Sequence, residues 1–388
     1  MSAAIAPELD IKDRVSRTPH LAFLDGLRGL SALWVVFFHV AGLIKMRYGA
    51  PYPAVVSALT GWMLYGDRAV SVFIVLSGYC LMMPVVASGD KRLRGGLKGY
   101  FFRRARRIFP PYYGALALSL AFYALWNTVK QKAHLGSGSW GEYAFDPQNI
   151  ALHVLMLHDL SSRWIGAINP PMWSVAVEWH LYFLLPLLLL PLWRRAGILW
   201  MLLAATILGL LPHFLLAPSV NLDWAHPWLL VLFAFGAAGA ILAPDVNNAE
   251  VPVGRAALAP IAVAAITLFV LIRAKIPKEA WLEDMVVGVA ATTLILWLQR
   301  RNTALPGRTS RLRGWLESRP AVALGRFSYS IYLIHFLIVW TIPPVAHGLH
   351  LSITAALFLG ILCGVPAALG AAYVFYLVLE RPFTKARQ

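Results

Sequence analysis

Charge is what this chain has least of. Only 13% of its 388 residues are Asp, Glu, Lys or Arg, about half the share that a soluble domain carries. With 59% hydrophobic residues, too little polar surface exists to coat a globule of this length, which excludes a water-soluble fold. Cysteine is scarce as well. Cys80 and Cys363 are the only two, and both sit in apolar runs as small lipid- or core-facing residues. They offer neither a disulfide framework nor a metal site, so no metal is expected. Acidic residues are few, 18 against 34 basic ones. In a chain this apolar, the surplus of +16 reads as the Lys and Arg that gather on cytoplasmic loops, and no nucleic-acid partner is expected. Met1–His20 has no apolar stretch of the signal-peptide kind, so the first apolar run, from Leu21, is expected to be a span itself.

Long apolar runs are what the chain does have. Ile198–Leu211, Ala256–Ile272 and Ile353–Leu379 are examples, and several approach or exceed the ~20 residues that cross a hydrocarbon core. Spans are predicted at 22–44, 69–88, 107–127, 172–192, 197–215, 228–243, 256–273, 285–299, 321–344 and 353–378. Basic residues orient them. Lys91, Arg92, Arg94, Lys98, Arg103, Arg104, Arg106 and Arg107 precede the third span; Arg300, Arg301, Arg308, Arg311, Arg313 and Arg319 precede the ninth. Lys12, Arg14, Arg17, Arg194, Arg195 and the Arg381–Arg387 tail fall on the same side, which the positive-inside rule makes cytoplasmic. Arg273, Lys275 and Lys278 fall on the other side, against the rule. Asn149–Leu160 is apolar but short, and counting it as a span would reverse Arg194 and Arg195. It is predicted to be a re-entrant or interfacial helix on the outer side. The expected fold is therefore an all-α membrane protein, a bundle of about ten transmembrane helices plus one short helix, with both termini cytoplasmic. A polar tail (1–20) precedes a single membrane domain (21–383) and a short cytoplasmic tail (384–388).

An ionisable side chain inside a span is costly and marks a functional-site candidate. The first span holds Arg28 and His39. Their spacing is about three helical turns, which puts them on one face about 16 Å apart along the axis. Arg28 either snorkels to the interface or lines a site, and Asp25 pairs with it along the helix. His39 is either a packing hydrogen bond or a catalytic group. The span from Met172 carries Trp173, Ser174, Glu178 and His180. Run from the outer edge, it places Glu178 about 9 Å deep. His39 comes out about 24 Å above the inner edge of a ~30 Å core, close to the same depth. A carboxylate and an imidazole at one depth suit a general base and the group that orients it; a structural pair between helices is the alternative. The run Phe101–Tyr112 is basic where a span leaves the cytoplasm, and Arg104 and Arg107 share a helix face. They suit either phosphate binding or anionic lipid and topology signalling.

These segments resemble the acyltransferase-3 family of membrane O-acyltransferases from Leu24 to Phe383. The likeness rests on Arg28 and His39 with ten residues between them, Gly66–Tyr79 with its Leu76-Ser77-Gly78, and Arg104-Ala105-Arg106-Arg107-Ile108-Phe109-Pro110. It continues with Trp173-Ser174 followed by Glu178, Gly325–His335, and the closing Glu380-Arg381-Pro382-Phe383. Each alone is weak; their shared order is not. Two residues depart from the family pattern: Ile74 stands where Phe is usual, and His180 where Gln usually follows the Glu. There is also no trailing esterase-like domain, which suggests a stand-alone enzyme.

The resemblance implies transfer of an acyl group, most often acetyl, from cytoplasmic acyl-CoA to a hydroxyl of a cell-surface glycan, glycolipid or related acceptor. The expected setting is a bacterial inner membrane, and no permanently bound cofactor is expected. In this reading Arg104 and Arg107 hold the acyl-CoA head group and Arg28 draws in the pantetheine arm. His39 acts with Glu178, either as a general base or through an acyl-His39 intermediate. Ser174 either stabilises an oxyanion or caps its helix. His335, about 21 Å above Ala321, shares the depth of His39 and is expected beside the site. Tyr329, Tyr332 and Trp173 either line a sugar site or anchor the interface. The rival is a transporter or flippase of a lipid-linked glycan. It would favour inverted repeats, of which the sequence shows none.

Overall fold

A computed structural model of the chain describes residues 21–133, 143–216, 222–243, 255–275, 280–304 and 311–384. The predicted tails, Lys278 and Arg308 lie outside the described residues. Within them the chain is helical, with no strand. Its principal helices are α1 (Ala22–Tyr48), α2 (Ala69–Val86), α3 (Gly96–Ala133), α4 (Pro147–Val154), α5 (Met172–Leu184), α6 (Ile198–Leu211), α7 (Leu229–Leu242), α8 (Arg255–Lys275), α9 (Ala280–Ala304), α10 (Arg319–Arg326), α11 (Ser328–Val339) and α12 (Val365–Phe375).

Among the described residues nine helical segments are long and apolar enough to cross a membrane. Helix α8 stands where the seventh predicted span, 256–273, is expected, but its apolar part is only Ile261–Leu271. Several spans are longer than hydropathy suggests. A helical run from Ala54 continues through the tight turns of Gly61–Arg68 into α2. Helix α3 starts at Gly96, well before the predicted 107. The predicted span 321–344 is broken at Phe327, where Ser328 Oγ bonds the Gly325 carbonyl at 2.9 Å. Three spans carry wider, π-type turns, one at Leu185–Leu189, one at Pro212–Leu216, and the last at both Gly360–Gly364 and Tyr376–Glu380, the usual way a helix absorbs an extra residue.

Basic segments collect at one end of the bundle. Arg194 bonds the Lys91 carbonyl, and Arg313, in the segment before α10, bonds the Leu298 carbonyl at the end of α9. At the opposite end Tyr48 reaches the Leu351 carbonyl. There Arg68 meets Glu283 at 2.7 Å and Asp284 at 2.8 Å, and Asp284 also accepts from Ser71 and Trp228. Buried charge is tolerable here because the Arg68 guanidinium is paired with both carboxylates and Asp284 takes two further hydrogen bonds.

Backbone contact between helices sets the centre of the bundle. A Cβ on Gly78 would lie 2.0 Å from the Phe233 carbonyl oxygen, and one on Gly236 2.0 Å from that of Val75. Only glycine lets α2 and α7 cross this closely, as small residues do between membrane helices. Helices α1 and α10 cross in the same manner, with Gly325 against the Asp25 carbonyl.

The only α-helix in the segment 143–171 is the short α4, as expected of a piece that does not span. Asp146 caps α4 by accepting from Gln148 and Asn149 N–H groups. Tyr112 and Tyr113 of α3 then hold the His153 and Val154 carbonyls, each at 2.8 Å. His153 and His158 stack at 3.9 Å, and burial pushes both below the ordinary histidine range, so they are neutral. The chain then dips inward: Asn169, fully buried, donates to the Leu333 carbonyl at 2.9 Å and to Ser119 at 3.2 Å. Helix α5 consequently begins inside the bundle.

Candidate active site

Helices α1, α2, α3, α5 and α11 enclose a chamber of about 90 Å³. Arg28, Arg104 and Arg107 line it, and so does Glu178. Arg28 also pairs with Asp25 at 3.6 Å, as expected from the helical spacing. The Nε of Arg104 is buried with no hydrogen-bond partner among the described residues. Three guanidiniums against one lining carboxylate leave the chamber cationic. Such a surface suits an anionic ligand that supplies paired oxygens.

The face of α5 that looks into this chamber carries Ser174, Glu178 and Tyr182, spaced at one helical turn. Tyr182 donates to Glu178 Oε1 at 2.7 Å. Ser174 Oγ and Tyr332 Oη lie 2.6 Å apart. The helix N-cap is Pro171, so Ser174 does not cap it. Tyr329 also lines the chamber, with its hydroxyl 3.3 Å from the Ile108 carbonyl.

Beyond Tyr332, one turn along α11, stands His335. It is completely buried, and its Nε2 lies 3.0 Å from His39 Nδ1. The surrounding carbonyls decide the tautomers. His335 Nδ1 faces the Ile331 carbonyl at 2.8 Å, so it carries the proton and Nε2 is an acceptor. His39 Nδ1 faces both that nitrogen and the Val35 carbonyl, at 3.1 Å, so it carries its own proton and donates. By elimination His39 Nε2 holds the free lone pair, the basic nitrogen of the pair.

The structure therefore assembles Arg28, Arg104, Arg107, Ser174, Glu178, Tyr329 and Tyr332 around one chamber, with His335 and His39 as a pair beyond it. It does not join His39 to Glu178, and no hydrogen bond or ion pair links them among the described residues. The expected equality of depth fails for a definite reason. It counted α5 from the membrane edge, whereas Asn169 holds the start of α5 at the level of Leu333. Six further residues take Glu178 about 9 Å lower, to the level of the arginines. Trp173 is also turned away: it stacks on His226, ring centres 4.2 Å apart. Tyr182, Ser77, Cys80 and Ser328 also line the chamber, though no expectation from the sequence placed them at the site. Tyr182, four residues after Glu178, was the one legible by helical spacing.

A helical membrane protein with a cationic chamber leading to paired imidazoles is thus defined. A family model described as an acyltransferase domain, that of acyltransferase 3, matches residues 21–377. The chain belongs to the acyltransferase-3 family and is a membrane acyltransferase. No curated protein and no solved structure matches it.

Proposed function

We propose that the protein moves an acyl group, acetyl by preference, from acyl-CoA at the basic, cytoplasmic end of the bundle to a hydroxyl of a sugar-containing acceptor. The reading rests on one observation. Arg104, Arg107 and Glu178 share a chamber with the Ser174–Tyr332 pair, and one turn beyond Tyr332 stand His335 and His39.

In this scheme the phosphates of the donor sit on Arg104 and Arg107, and Arg28 steers the arm inward. Glu178 and Tyr182 set the charge and width of the chamber. The thioester carbonyl reaches the His39 end. There His39 Nε2 takes the proton of the attacking hydroxyl while the carbonyl carbon is attacked. The imidazolium that forms donates through Nδ1 to His335, and the proton ends on the departing thiolate. Ser174 and Tyr332 supply hydroxyls next to the pair, suited to a developing oxyanion.

The test is acyl transfer by the purified protein in proteoliposomes, with labelled acetyl-CoA and surface glycan or glycolipid fractions of the host membrane. Labelled ester is expected for the native protein. His39→Ala is expected to form none while remaining folded and inserted. An active His39→Ala protein removes this mechanism.

A further inference from the structure

Helix α5 works on two faces. Opposite the chamber face, Trp173, Val177, His180 and Leu184 form a second stripe, as their spacing of seven and four residues requires. Val177, His180 and Leu184 of this stripe line a separate cleft of about 250 Å³. Its walls are apolar, with Leu184 from α5, Leu208 from α6 and Leu230 from α7. Leu208 is 48% exposed on the lipid side of the bundle, so the cleft opens to hydrocarbon.

One end of the cleft is polar. Asp159, 1% exposed, stands 3.3 Å from His180 Nδ1 through its Oδ2. Its Oδ1 has no hydrogen-bond partner among the described residues. A buried carboxylate oxygen without a donor is unfavourable, the more so beside lipid. His180 turns Nδ1 toward the carboxylate, so the acceptor without a partner at this end is Asp159 Oδ1. The polar end thus offers an acceptor and needs donors. A phosphate brings acceptors and negative charge, and Asp159 repels it. Free hydroxyl groups bring the donors.

We propose that this cleft binds a neutral lipid whose headgroup carries free hydroxyls, those hydroxyls on Asp159 and His180 and its hydrocarbon chain along Leu184, Leu208 and Leu230. The lipid is the acyl acceptor, docked at the membrane side of the enzyme by hydroxyls other than the one that is acylated. This second part rests on the acyl-transfer reading of the chamber. The two sites are one helix apart: His226 lines the cleft and stacks on Trp173, and the next residue, Ser174, meets Tyr332 in the chamber.

The experiment uses the full chain in nanodiscs with a monoglucosyl diacylglycerol that carries a diazirine in its acyl chain. A matching diazirine phosphatidic acid is the anionic control. The glucolipid is expected to label α6 and α7 beside Leu208 and Leu230. Leu208→Trp, which fills the cleft from an exposed position, and Asp159→Asn should each cut that labelling about tenfold, a loss of about 1.4 kcal/mol of binding. Phosphatidic acid should label these segments weakly and without regard to either variant. In the transfer assay Leu208→Trp should lose transfer to the glucolipid and keep transfer to a short-chain, water-soluble glucoside. Labelling that ignores both variants, or equal labelling by phosphatidic acid, overturns the proposal. Variant-sensitive labelling in a protein that acylates no acceptor upholds the lipid site and removes the acyl-transfer reading instead.

Discussion

Replacing His335 by Ala tests the tautomer argument directly. In the native pair His335 Nε2 accepts from His39 Nδ1 at 3.0 Å, and this bond becomes charge-assisted once His39 has taken a proton. Hydrogen bonds to charged groups contribute about 1.5–3 kcal/mol, which corresponds to a fall in kcat of about 10- to 150-fold. The donor KM should hardly move, because His335 lies beyond the arginine chamber. His39→Ala removes the base itself and is expected to cost about 10²–10⁴-fold. His335 acts only through His39, so the double variant should be no slower than His39→Ala alone. His335→Gln, whose amide oxygen falls near the position of Nε2, should restore part of the rate. The assay is thiol release from acetyl-CoA together with ester formation, in nanodiscs and at saturating donor. Two outcomes refute the reasoning: a His335→Ala protein with native turnover, or a double variant slower than His39→Ala by the full His335→Ala factor.

Other predictions concern the chamber and the scaffold. Arg104→Ala/Arg107→Ala should raise the donor KM by about tenfold or more, through loss of charge-assisted bonds, with the acceptor KM little changed; an unchanged donor KM returns both arginines to orienting the chain in the bilayer. Cys80 lines the chamber whereas Cys363 is exposed, so in a Cys363→Ser background a maleimide should label Cys80 and saturating acetyl-CoA should slow that labelling. Labelling at the same rate with and without donor would place the donor elsewhere. Gly236→Ala drives a methyl group into the Val75 carbonyl; the crossing of α2 and α7 must open, and a loss of about 1–3 kcal/mol is expected, read as a lower melting temperature in detergent. A native melting temperature would mean that the two helices part freely.

Helical periodicity made much of this legible. The rise per residue puts His39 and His335 at one depth from two distant segments, and they meet at 3.0 Å. It also puts Arg104 and Arg107 on one face, and both line the chamber. Periodicity gives faces and intervals but not where a helix starts. The start of α5 depends on Asn169, whose bonds to Leu333 and Ser119 are made by an irregular segment with no period to read. The same segment brings Asp159 to His180. The network of Arg68, Glu283, Asp284 and Trp228 was hidden for a related reason. Each partner sits at a helix end, where the chain positions charge by turns rather than by pattern.

The displacement of Glu178 is also what electrostatics favours. A carboxylate beside His39 would have to be buried with no other charge near it, in the least polarisable part of the bundle, and burying an ion there is costly. Glu178 instead shares a chamber with three guanidiniums and accepts from Tyr182, and counter-charge there offsets its desolvation. Two neutral imidazoles impose no such cost at the deeper position, because each needs only hydrogen bonds, and the Val35 and Ile331 carbonyls supply them. Charge appears there only when His39 takes the proton, and His335 is already placed to accept the resulting bond. The fold thus keeps the carboxylate in the arginine chamber and the imidazoles apart from it, and in the proposed scheme the imidazoles carry the proton transfer.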